Sequence, residues 1–157
     1  MRKRKRGVRS KGLKRWFGAS TVVDACGKPL LVYHGTTAYF RRFAKSKDGG
    51  FHFGDRAAAG WRLADLTLDE ETPGNRILGV YLSILRPKLL DFDAGDAHSW
   101  RKQIKRAKAE GFDGIRYPNA AELDEDEETD ERPTTLSWIV FKPGQIKIVM
   151  NKPANEL

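Results

Sequence analysis

Two histidines stand where backbone and side chain could jointly hold a ligand. His34 follows the apolar run Leu30–Tyr33 and precedes Gly35 and Thr36, while His52 sits between Phe51 and Phe53 in the stretch GGFHFG. A neutral imidazole offers one donor and one acceptor. A glycine beside it lets a ligand approach the backbone closely. The residues alone leave a second reading open, because a strand histidine is more often a hydrogen-bonded core or edge residue.

Other side chains that could do chemistry have plainer readings. Asp113, in Gly-Phe-Asp-Gly, suits the shaping of a turn through its carboxylate. Gln145 precedes an apolar strand and suits a structural hydrogen bond. Arg41 and Arg42 suit either a phosphate contact or a solvated loop, and His98 has no partner in sequence. There is no P-loop, no GxGxxG after a strand, no GxSxG, no HExxH and no CxxC. The single cysteine, Cys26, excludes an internal disulfide and gives no zinc signature. No metal is expected, and a reducing cytoplasm is the expected compartment.

The elements that must position these residues follow from pattern. Leu13, Trp16 and Phe17 at i, i+3, i+4 before Gly18 predict a short helical turn. VVDACGKPLLVYHG predicts strand, turn and strand, and FHF another strand. Asp55 is placed to N-cap RAAAGWRLADL, and Asp96 to cap AHSWRKQIKRAKAEG, where Trp100, Ile104 and Ala107 share a face ahead of Gly111. ILGVYLSIL, RPKLLDFD and DGIRY read as strands, and LSWIVFK followed across Pro-Gly by QIKIVM as a closing hairpin. About seven short strands and three helices, with the strands clustered late, predict an α+β fold rather than a doubly wound parallel sheet.

With 157 residues, one core is feasible, and no apolar stretch approaches the roughly 20 residues that span a bilayer. The N-terminus lacks an apolar segment after its basic residues, so no secretory signal is expected. The net charge of +8 is uneven: residues 1–16 hold nine Lys/Arg and no acid, and residues 122–131 hold eight acids and no base. The expected organisation is a basic flexible arm over 1–12, a domain over 13–150 with an acidic loop at 118–134, and a tail over 151–157. The arm reads either as a solvated tail or as a contact for nucleic acid or an anionic surface.

WFGASTVVDACGKPLLVYHGTTAYFRRF with GGFHFG, then VYLSILRPKLLDFD, GFDGIRYPNAAE and LSWIVFKPGQIKIV, in that order, resemble the NAD-dependent ADP-ribosyltransferases of the diphtheria-toxin and poly-ADP-ribose polymerase type. More narrowly the chain resembles the small transferase domains of bacteriophages and prophages, over residues 13 to 150. The resemblance implies a split β-sandwich of two small twisted sheets with flanking helices. It implies that NAD binds in the cleft as a substrate. His34 would bond a ribose hydroxyl, Gly35 would pair its backbone with the nicotinamide carboxamide, and Thr36 would support that turn. His52, within Phe51-His52-Phe53, takes the place of a family tyrosine that stacks near the nicotinamide ribose. Trp61 is the nearest match to an aromatic that faces the nicotinamide ring, with core packing the alternative. The family's glutamate before the last strand pair is here Ser137, which carries no charge. Glu122 is the acidic residue that could compensate.

The expected function is therefore a mono-ADP-ribosyltransferase that cleaves NAD at the nicotinamide–ribose bond and modifies a macromolecule, protein or nucleic acid, in a bacterial host. Two alternatives stand beside it. One is a catalytically silent relative that binds nucleic acid or a host protein through the basic arm. The other is an RNA 2′-phosphotransferase, for which too few arginines stand around the site. The acceptor and the oligomeric state are not readable from these residues.

Overall fold

The computed structural model describes residues 6–67, 74–119 and 135–156, with the side chains of 6–10 and 67 excluded. Among them are three α-helices and seven strands, an α+β arrangement as expected. The order is α1 (Arg6–Phe17), β1 (Val32–Thr36), β2 (Phe51–Phe53), α2 (Arg56–Thr67), β3 (Arg76–Leu82), β4 (Pro87–Leu89), α3 (Ala97–Ala109), β5 (Gly114–Asn119), β6 (Thr135–Val140) and β7 (Ile146–Pro153). One sheet runs β1-β3-β7, all antiparallel, and the other β2-β6-β5-β4, in which β4 and β5 are parallel.

Alternation along the strands sends one set of side chains between the sheets and the other outward. Val32, Phe51, Phe53, Leu78, Val80, Leu82, Trp138 and Val140 form the inner core. On one outer face α2 brings Ala59 and Leu63 against Ile77 and Ala154. On the other, α3 lays Trp100, Ile104 and Ala107 on Ile115, Tyr117 and Ile139. Its ends match the sequence signals. Asp96 accepts from the backbone N–H groups of His98 and Ser99, and Gly111 takes a left-handed φ of 84° just past the helix.

The closing hairpin does not form. β6 and β7 are consecutive, but β6 pairs with β2 and β5 while β7 pairs with β3, so the Pro143–Gln145 turn crosses from one sheet to the other. Gln145 explains the crossing. Its Oε1 accepts from the N–H groups of Phe141 and Lys142, and its Nε2 donates to the carbonyls of Ser83, beyond β3, and Asp113, before β5. Local alternation identifies both strands, while their expected pairing as a hairpin rests on the short turn between them, which does not encode the partners. The first strand of VVDACGKPLLVYHG is likewise reduced to a bridge between Val23 and Pro29. At the termini, α1 begins within the stretch expected as an arm, and β7 continues to Pro153, into the stretch expected as a tail.

The two sheets share one backbone rung. Tyr33 N–H donates to the Gly54 carbonyl at 2.7 Å, and Gly54 N–H donates back at 3.0 Å. One pair further along, Gly35 and His52 would be the next rung of an antiparallel ladder. There the strands part instead, and a cleft opens.

Candidate active site

The parting of β1 and β2 is held by a side chain. His34 lies mid-strand in β1, not at its end, with its backbone paired to Leu78 of β3. Its Nδ1 donates to the His52 carbonyl at 2.9 Å, taking the place that a backbone N–H would occupy in a closed ladder. A carbonyl only accepts, so Nδ1 carries the proton and Nε2 the lone pair. Burial holds the His34 pKa below the usual histidine value. The carbonyl bond opposes that, and the charges of His52 and Arg62 add to it. Phe43 and Phe53 pack on the ring at centroid distances of 5.1 and 5.6 Å. No buried side-chain nitrogen or oxygen among the described residues is without a partner. His34 Nε2, which makes no internal bond, therefore opens to the cleft that His34 lines.

Gly35 is required by packing. A Cβ there would lie 2.3 Å from the Ala59 carbonyl and 2.9 Å from Leu63, so only glycine lets α2 lie on β1. The same strand geometry aims its N–H and carbonyl toward the open edge, since they follow the alternation set by Tyr33. An amide edge thus faces the cleft, and among the described residues no strand pairs with it. Thr36 ends the strand, and its Oγ1 accepts from Ala38 N–H.

His52 points to the other face of β2, toward α3. Its Nε2 meets Asp48 Oδ2 at 2.6 Å, and its ring stands edge-on to Trp100 at 5.5 Å and to Tyr117 at 6.5 Å. Burial pushes the Asp48 carboxyl up. The bond and charge of His52, with the Gly50 N–H, outweigh that and bring it below its ordinary range. Phe51 and Phe53, on either side, belong to the inner core and also border the cleft.

Ser137 lies beside Tyr117 in the ladder between β6 and β5, and their hydroxyls share a hydrogen bond. Burial raises the Tyr117 pKa, the Asp93 charge adds to the rise and the Ser137 bond opposes it, so the phenol stays protonated. Ser137 is 1% exposed, a neutral group on the cleft floor. Glu122 lies outside the described residues. Trp61 is 43% exposed on α2 and borders the cleft, which removes the core-packing alternative.

The cleft has a volume of about 900 Å³, at the upper end of small-molecule sites. It brings together His34, Gly35, His52, Trp61 and Ser137. Arg42 borders it, whereas Arg41 turns to the Tyr39 hydroxyl at 3.3 Å. Asp48, Trp100, Tyr117 and Asp93 also border it and were not singled out from sequence. Asp48 stands four residues before His52 in a loop, where no periodicity announces which carboxylate will turn inward. No described helix is long and apolar enough to cross a membrane. A family model described as ADP-ribosyltransferase in polyvalent proteins matches residues 24–156. No curated protein matches the chain.

Proposed function

The chain belongs to the ADP-ribosyltransferases of polyvalent proteins, and on that premise we propose that it cleaves NAD at the nicotinamide–ribose bond and passes ADP-ribose to a macromolecular acceptor. The observation that carries the reading is the unfilled rung at Gly35, next to the cleft-facing lone pair of His34 Nε2. A carboxamide has one donor and one acceptor on a planar edge, which complements the N–H and carbonyl of Gly35. A ribose hydroxyl donates to His34 Nε2. Trp61 supplies an indole to the cationic nicotinamide ring, a contact worth about 1 kcal/mol or more when desolvated. Arg42, on the wall of the cleft, suits the pyrophosphate.

The chain's own groups bind and orient the dinucleotide, and nicotinamide leaves with the electron pair of the glycosidic bond. Ser137 brings no charge to the ribosyl cation, and among the described residues the carboxylates that border the cleft are Asp48, Asp65 and Asp93. The acceptor is a macromolecule of the host cell in which the protein acts. The test is incubation with NAD and a bacterial lysate, with nicotinamide release and ADP-ribose on protein and on nucleic acid measured separately. Release and transfer by the wild type, with loss of about a hundredfold in His34→Ala, are expected. No release and no NAD binding would retire the reading.

A second reading is favoured by the burial of Ser137: a silent member of the family that binds nucleic acid or a host protein through its basic N-terminal segment. In that case His34→Ala leaves the binding function unchanged.

A further inference from the structure

His52 and Asp48 form a pair separate from the contacts that suit the dinucleotide. Asp48 is a carboxylate, which accepts only, so the 2.6 Å contact makes His52 Nε2 a protonated nitrogen, and in the neutral ring Nδ1 holds the lone pair. Nδ1 makes no bond within the protein, and no buried side-chain nitrogen among the described residues lacks a partner, so Nδ1 meets the cleft. The His52 side chain is 31% exposed and that of Asp48 9%. One member is reachable and its orienting partner is shielded. The carboxylate is itself anchored by the Gly50 N–H at 3.1 Å. Such an arrangement fixes a tautomer and stabilises the imidazolium that forms when the free nitrogen takes a proton.

We propose that His52, oriented by Asp48, is the base that receives the proton of the incoming nucleophile, so that the acceptor of ADP-ribose is a group that must lose a proton, such as an alcohol, rather than a carboxylate. The proposal rests on the transferase reading above. A carboxylate acceptor carries no proton to remove, whereas a hydroxyl must lose one as it bonds to carbon. The bond from C1′ of the ribose to the nicotinamide nitrogen breaks with its electron pair going to nicotinamide. The acceptor oxygen forms the new bond to C1′, and its proton passes to His52 Nδ1 and then to solvent. NAD and the alcohol give nicotinamide, the O-linked ADP-ribose and one proton. Asp48 is a positioning residue in this scheme, acting through His52.

Among the described residues, the groups that face the pair are few. Tyr117 of β5 stays protonated, Trp100 of α3 is neutral, and Arg101 of the same helix spends a donor on the Lys47 carbonyl. His34 of β1 feels the His52 charge through space, and Asp93 acts on Tyr117. Asp48 is the charged group in direct contact with the ring.

Methanol serves as the probe acceptor. Wild type and Asp48→Asn are incubated with NAD and methanol from pH 5 to 9, with nicotinamide and methyl ADP-ribose quantified and NAD affinity measured by calorimetry. Asp48→Asn is expected to lower the rate of methyl ADP-ribose formation about tenfold or more, with NAD affinity unchanged. A variant that forms methyl ADP-ribose at the wild-type rate overturns the proposal. A wild type that releases no nicotinamide at any pH overturns the transferase reading instead, so the two failures are distinct. Nitrogen–proton correlation spectra of the folded wild type decide independently of turnover. The tautomer protonated at Nε2 of His52 is expected, and a proton on Nδ1 overturns the assignment.

Discussion

His34 and Asp48 resist protonation for opposite reasons. His34 is kept neutral by burial, while Asp48 is kept charged by the ring and N–H that it accepts from. For His34 the folded value lies below the unfolded one, so its contribution to stability is full above about pH 6.5, the ordinary histidine value. That contribution is lost as pH falls toward the folded value, because the unfolded chain takes up a proton that the folded one refuses. Asp48, also depressed, contributes above the ordinary carboxylate range near pH 4 and loses its contribution as pH falls through its lower folded value. Urea midpoints measured from pH 3 to 8 are expected to show two declines, and His34→Gln is expected to remove the one that starts near neutrality. The sequence placed His34 and His52 on strands and paired neither. Hydrogen-bond partners such as the His52 carbonyl and Asp48 arise from a loop and a strand edge meeting, which no local spacing encodes.

Helix α2 and strand β1 are bound by a missing side chain. Any Cβ at Gly35 meets the Ala59 carbonyl at 2.3 Å, a backbone atom that yields only if the helix moves. Gly35→Ala is expected to destabilise the protein by about 3 kcal/mol in chemical denaturation. It is also expected to weaken NAD binding, since Trp61 and Arg62 travel with the helix. Reading Gly35 only as a place for close ligand approach captures half of its constraint. Helix α3 was the most legible element, because Asp96, the apolar stripe and Gly111 agree on one answer. The strands LSWIVF and IKIVM were legible as strands. Their separation into two sheets depends on Gln145, whose four bonds join residues 32 to 62 positions away as well as its own turn.

For the whole molecule, the two sheets are joined by the Tyr33–Gly54 rung at the cleft and by the Gln145 network at the crossover. Gln145→Ala leaves two carbonyls and two N–H groups without their partner and is expected to cost about 2 to 3 kcal/mol, read as a lower denaturation midpoint. Asp113 reinforces the junction by accepting from the N–H groups of Leu85 and Arg86, a link between segments rather than the local turn its neighbours suggested. The open rung beside this frame also has a cost. An unpaired strand edge inside a folded protein will accept a foreign strand as readily as a flat amide. Phe40, Phe43 and Asp48 border the same cleft. An extended peptide is therefore expected to compete with any ligand that pairs with the Gly35 amide, read as displacement of that ligand by a strand-forming peptide.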